Sequence, residues 1–147
     1  MKKLSLYIFL VLIFCNTSFA DNLKIVDGDT IVLNGEKIRF SGIDTPELKQ
    51  THINGDEKVF CGKSAKMPLI KKIDNQTPEC IREGKGRTLA ECFINGESLS
   101  AFLVRSGYAF AYRKYSKKFI EDEEFAKKNK LGMWSMKFEY PWDFRKT

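Results

Sequence analysis

The chain has 147 residues, 43% hydrophobic, 13% aromatic and 30% charged, with a formal net charge of +6. That balance suits one globular domain with a single core and excludes a low-complexity, collagen-like or polytopic membrane chain. One histidine, His52, excludes any metal site built on two, and four cysteines are too few for a disulfide-dense miniature scaffold.

Residues 1–20 read as a secretory leader. Lys2 and Lys3 precede an apolar run from Leu4 to Cys15, and Ser18-Phe19-Ala20 puts small residues at the −3 and −1 positions of a cleavage site. The run falls short of the roughly twenty apolar residues that cross a bilayer, so it predicts a cleaved leader rather than an anchor. The expectation is a secreted or periplasmic monomer, cut after Ala20 and without stable membrane association. Losing two lysines and no acid lowers the net charge from +6 to +4, which permits a polyanionic partner without requiring one. Cys61, Cys80 and Cys92 remain. An odd number in an oxidising compartment is most simply one disulfide and one free thiol.

The front of residues 21–147 reads as strands. Lys24-Ile25-Val26 and Ile31-Val32-Leu33 flank an acidic turn, and Asn34-Gly35 is a two-residue hairpin signal. The return strand runs from Lys37 to Ile43, ended by Asp44-Thr45-Pro46. Leu48 to Phe60 is polar and lacks periodicity, which predicts a loop. Ala65, Leu69 and Ile73 predict a helix over 62–73, kinked or begun by Pro68. Strands follow over 79–82 and 88–94. Cys80 and Cys92 fall on neighbouring strands, so a disulfide between them is feasible and Cys61 stays free. A short helix covers 100–106, with Phe102 and Leu103 inward and Gly107 as its stop. A last helix, capped by Ser116, runs to Lys130 with its acids first and its bases last. Five strands and three helices, strands mostly first, predict a small β-barrel or α+β domain. Nothing suggests an internal repeat or a second domain.

Two clusters carry chemistry: Asp27-Gly28-Asp29-Thr30, and Arg39 followed by Asp44-Thr45-Pro46-Glu47. Each alone is ordinary turn composition. Together they lie at the ends of strands paired by the Asn34-Gly35 hairpin, so their carboxylates converge. Like charges so close repel and call for a cation or a catalytic purpose. Oxygen-only donors point to a hard cation, Ca²⁺ or Mg²⁺. A metal phosphodiesterase also needs a base for water and cationic donors for the phosphate, roles that Glu47, Arg39 and Arg87 can fill.

Ile25 to Thr30, Ile38-Arg39-Phe40, Asp44 to Glu47 and Gly86-Arg87 resemble the thermonuclease (micrococcal nuclease) family in order and spacing. Gly132-Met133-Trp134 and Pro141-Trp142-Asp143-Phe144-Arg145 look like the ending of its short secreted bacterial members. The resemblance implies an α+β, mainly β fold, a five-stranded OB-fold barrel with three helices, and Ca²⁺-dependent hydrolysis of DNA and RNA to 3′-phosphates. By position it implies Asp29, Asp44 and the Thr45 carbonyl as calcium ligands, with Asp27 behind them. It implies Glu47 as general base and Arg39 and Arg87 as phosphate binders. Tyr112 and Tyr115 match aromatics on which a base stacks, and Lys85 stands where the family usually has Tyr. His52, in a polar loop without a paired carboxylate, reads as a surface residue. The alternative reading is an OB-fold binding module without catalysis.

One tension remains. Arg39 and Asp44 are five residues apart, which on a regular strand puts them on opposite faces. A bend at Ser41-Gly42, or an Asp44 beyond the strand end, would resolve it.

Overall fold

The computed structural model describes residues 21–84 and 88–147, so residues 1–20, where a leader is expected, and Lys85, Gly86 and Arg87 lie outside the described residues. Strands β1 (Leu23–Ile25), β2 (Thr30–Leu33) and β3 (Glu36–Phe40) form an antiparallel meander. Asn34 and Gly35 turn β2 into β3 with φ of 51° and 84°, as a two-residue hairpin requires. The register sets buried Ile31 against buried Ile38 and Thr30 against Arg39.

The strand expected to continue to Ile43 breaks at Ser41-Gly42. Gly42 has φ +72°, and a Cβ there would stand 2.9 Å from the Phe119 ring. Handedness and space both demand glycine. Beyond this bend β4 (Ile43–Asp44) leaves the main sheet and pairs with β10 (Phe110–Ala111).

Where a loop was expected, β5 (Thr51–Asn54) and β6 (Glu57–Phe60) form a hairpin about Gly55, φ +63°. His52 therefore lies on a strand, half-buried, rather than in a loop. Helix α1 (Cys61–Ile73) continues through Pro68, which does not mark its start. Its buried face of Cys61, Ala65, Leu69 and Ile73 outweighs the one backbone bond that proline forfeits.

Strands β7 (Glu79–Glu83) and β8 (Leu89–Ile94) pair antiparallel, and β8 lies parallel to β3, giving the order β1-β2-β3-β8-β7. The short β9 (Glu97–Ser98) leads into α2 (Leu99–Arg105), where Ser98 Oγ accepts from the Ala101 N–H at 3.2 Å. Leu103 of α2 is fully buried, while Phe102 is only half-buried.

Helix α3 (Ile120–Lys128) begins three residues later than a Ser116 cap would place it. Ser116 instead closes a turn, its Oγ accepting from the Lys118 N–H. Phe119, 3% exposed, is drawn into the core before the helix can start. A 3-10 turn (Gly132–Ser135) and α4 (Pro141–Phe144) complete the chain, neither of them anticipated.

The architecture is the α+β, mainly β, OB-fold class; the expected third strand divides into β3 and β4, and β5, β6, β9 and β10 add to the five expected. The main core gathers Ile31, Ile38, Phe40, Leu69, Ile94 and Leu103. A second cluster, aromatic, seats Trp134, Phe138, Tyr140 and Trp142 around Phe110 and so fixes the C-terminal segment.

Cys80 and Cys92 are direct partners across β7 and β8 and are bonded, while Cys61 is free and buried. The bond spans 12 residues, which on the loop-entropy account stabilises the fold by roughly 3 kcal/mol. A Cys80→Ala, Cys92→Ala double variant should lose about that much in a urea titration. Non-reducing peptide mapping should find this pair linked, and any linkage through Cys61 contradicts the assignment.

Candidate active site

The Gly42 bend resolves the tension between Arg39 and Asp44. Arg39 Nη2 lies 3.1 Å from Asp29 Oδ2 and 3.0 Å from Asp44 Oδ1, bridging the two clusters. Asp29 and Asp44 are 2% and 0% exposed. Asp27 acts differently: its Oδ1 accepts the N–H of Asp29 at 3.1 Å, shaping the turn from behind. Thr30 Oγ1 donates to Asp29 Oδ1 at 2.9 Å. The turn lies hard against the second cluster, since a Cβ on Gly28 would stand 3.2 Å from the Thr45 Cβ.

Glu47 is held by its backbone, and its carboxylate meets Arg145. Its N–H donates to Gln50 Oε1 at 3.2 Å, and its carbonyl accepts the N–H of Gln50 at 2.8 Å. Helix α1 presses on the same peptide: a Cβ on Gly62 would lie 2.2 Å from the Glu47 carbonyl oxygen. The carboxylate, 44% exposed, therefore stands at the mouth of the site while its backbone is locked.

Two residues of the site escaped the sequence reading. Gln50, 2% exposed, donates from Nε2 to the carbonyl of Glu139 at 2.6 Å and ties the Glu47 loop to the C-terminal segment. Its signal was a glutamine amid polar neighbours, indistinguishable from a solvated one. Arg145 reaches further in. Its Nη2 lies 2.5 Å from Asp44 Oδ2, and its Nη1 lies 2.8 Å from Glu47 Oε1 and 3.2 Å from Asp44 Oδ1. These contacts raise the guanidinium pKa further above its already high ordinary value.

Arg39, Asp29, Asp44, Thr45 and Glu47 thus come together. Lys85 and Arg87 fall outside the described residues, but Thr88, next in sequence, accepts the backbone N–H of Arg39 at 2.9 Å. Tyr112 and Tyr115 contact each other edge to face at 5.0 Å, and Tyr112 also stacks on Trp142 at 5.5 Å. Tyr115 is 70% exposed. Of the lysines around the site, Lys118 pairs with Glu91, and Lys63 lies over the Phe60 ring.

The electrostatics favour a bound cation. Burial first, and the neighbouring negative charge of Asp27 after it, push the Asp29 carboxyl up to about 7, against the opposing pull of Arg39. The acids Asp27, Asp29, Asp44 and Glu47 outnumber Arg39 and Arg145, and every donor is oxygen, so these residues fit a hard cation. Among the described residues no three acidic, histidine or cysteine side chains form a metal cluster. A cation would therefore take two carboxylates, a backbone carbonyl and water, leaving room for a substrate oxygen.

The sign of the pH effect follows. Between the ordinary carboxyl value of 3.8 and about 7, the unfolded chain releases this proton and the folded chain keeps it. The Asp29 contribution to metal-free stability therefore falls as pH rises through that window. A hard cation held there would need the ionised form, so its uptake should strengthen as pH rises toward 7, releasing a proton when it occurs below that value. Calorimetry in buffers of different ionisation enthalpy measures both. Uptake independent of pH from 5 to 8 would contradict the assignment.

Residues 37–136 match the family model described as staphylococcal nuclease homologue. The chain is 31% identical over 160 residues to an uncharacterized protein of Methanocaldococcus jannaschii, covering 81% of this chain and 76% of that one. It is 28% identical over 117 residues to a staphylococcal-like nuclease of Arabidopsis thaliana, covering 76% of this chain and 33% of the plant protein. With an endonuclease of Bacillus subtilis it shares 29% identity over 136 residues, covering 76% of this chain and 59% of that one. The matched region is thus under two thirds of both named nucleases.

Proposed function

Because the chain belongs to the staphylococcal nuclease homologue family, a nuclease assignment at family level, we propose that it is an exported, calcium-dependent endonuclease. It hydrolyses phosphodiester bonds in DNA and RNA with low sequence preference, as a monomer released by cleavage after Ala20. The observation that supports this most is Arg39 bridging two buried carboxylates beside a half-exposed, backbone-locked Glu47.

Asp29, Asp44 and the Thr45 carbonyl would hold the calcium, which when bound supplies Lewis-acid charge to the phosphodiester. Glu47 takes a proton from the attacking water. The water oxygen bonds to phosphorus as the bond to the 5′ oxygen breaks; the departing 5′ alkoxide takes a proton from solvent and Glu47 gives its own back to solvent, leaving a 3′-phosphate and a 5′-hydroxyl. Arg39 and Arg87 donate to the charge that grows on the phosphate oxygens, where a planar fork serves better than an ammonium. Tyr115, and Tyr112 beside it, offer a base a ring to stack on, a contact that tolerates any sequence. Lys85 adds positive charge for the backbone.

The purified protein, given plasmid and single-stranded DNA and RNA, should cleave them in calcium and stop in excess chelator. The cut ends should be 3′-phosphates, read by phosphatase sensitivity. Cleavage undiminished by chelator would sink the metal assignment, and binding without cleavage in calcium would favour the inactive binding module.

A further inference from the structure

We propose that Arg145 is a built-in cation of this site that competes with calcium for Asp44 while it also holds Glu47, so that one C-terminal side chain sets the calcium concentration at which the site becomes competent. The inference rests on the calcium reading above. Asp44 has no exposure to solvent, and both of its oxygens already carry guanidinium donors: Arg39 on Oδ1, and Arg145 on Oδ2 at 2.5 Å and Oδ1 at 3.2 Å. The same guanidinium holds Glu47 Oε1 at 2.8 Å. Calcium bonded to a carboxylate oxygen sits about 2.3–2.6 Å from it, so ion and guanidinium would be neighbours of like charge over one buried acid. Salt screens such a pair little, because the acid between them is buried.

The fold presents this cation deliberately and yet leaves it detachable. Trp142 lies between the rings of Tyr140, at 4.5 Å and 13°, and Tyr112, at 5.5 Å and 12°. Pro141 is buried, and the carbonyl of Glu139 is anchored by Gln50. The segment is thus fixed up to the base of Arg145, which confines the guanidinium near the two carboxylates. The side chain itself is 37% exposed. It can swing into solvent when calcium arrives, without disturbing the stack that carries it. Without calcium it neutralises carboxylates that would otherwise repel.

The test is a calorimetric calcium titration of the purified wild-type protein, Arg145→Gln, Arg145→Met and Arg145→Lys, with thermal melts in chelator and in calcium. Removing the charge in Gln or Met should tighten calcium binding about tenfold or more, while Lys stays near wild type. The charge-free variants should also show a larger calcium-induced rise in Tm, because binding to the folded state alone stabilises by mass action. Equal or weaker calcium binding in both charge-free variants, with the wild type binding, overturns the competition and leaves the nuclease reading standing. Calcium uptake by no form of the protein overturns the metal reading and the competition together.

Discussion

Glu47→Gln should lower turnover by about 10² or more, the range of a general-base contribution, with the protein still folded. The fold survives because the Glu47 backbone is held independently of its side chain, by Gln50 and by the close approach of Gly62. The amide keeps the shape and an oxygen that can still accept from Arg145, and it loses only basicity. Nucleic-acid binding should persist or tighten, since one negative charge facing the phosphate has gone. Single-turnover cleavage at saturating calcium, alongside binding in chelator, separates the two effects. His52 is the rival base. Wild-type cleavage by Glu47→Gln together with inactivity of His52→Ala would reassign the role to it.

Arg39→Ala should cost about 10²–10³ in turnover, the scale for removing a donor to transition-state charge, with a smaller loss of ground-state binding. Its salt dependence of binding should also be shallower than that of Glu47→Gln, because only the arginine neutralises phosphate. The residue has a second duty that predicts a second symptom. It is the counter-charge of buried Asp29 and shares Asp44 with Arg145. Its removal should destabilise the calcium-free protein by on the order of 1–2 kcal/mol, a buried-pair loss discounted for a guanidinium that is 41% exposed. Calcium should restore most of that loss. Arg39→Lys should recover stability better than turnover, since a point charge satisfies the carboxylates but cannot fork across two phosphate oxygens. Melts with and without calcium, set beside turnover, check both halves. A variant equally stable and equally active would remove Arg39 from the site.

The sequence by itself determined what depends on residues close along the chain. Asn34-Gly35 specified a two-residue turn, the turn set the β2–β3 register, and that register put Arg39 opposite Thr30, beside Asp29. The spacing of Ala65, Leu69 and Ile73 found the buried face of α1, and Cys80 and Cys92 were readable as neighbours. Local signals failed where two of them disagreed. Asn54-Gly55 has the composition of Asn34-Gly35, but the residues around it, Thr51 to Ile53 and Glu57 to Phe60, mix apolar and polar side chains without a clean alternation. The pattern offered no buried side, and the β5–β6 hairpin passed for a loop. Ser116 is a competent helix cap, yet the burial of Phe119 against the Gly42 bend decided where α3 begins.

Only the tertiary structure decided the rest of the site. The bend that joins Arg39 to Asp44 depends on space that α3's leading residues leave for a glycine. Gln50 lies outside every quoted motif, and Arg145 closes a motif that gave it no role at the site: Arg145 lies 101 residues from Asp44 and 98 from Glu47. No periodicity links positions so far apart, because their meeting is set by the packing of Trp134, Phe138, Tyr140 and Trp142 around Phe110. Those aromatics are legible singly as apolar residues. Which surface they cover, and therefore where the arginine beyond them comes to rest, follows from burying their area against β10 and the end of the chain.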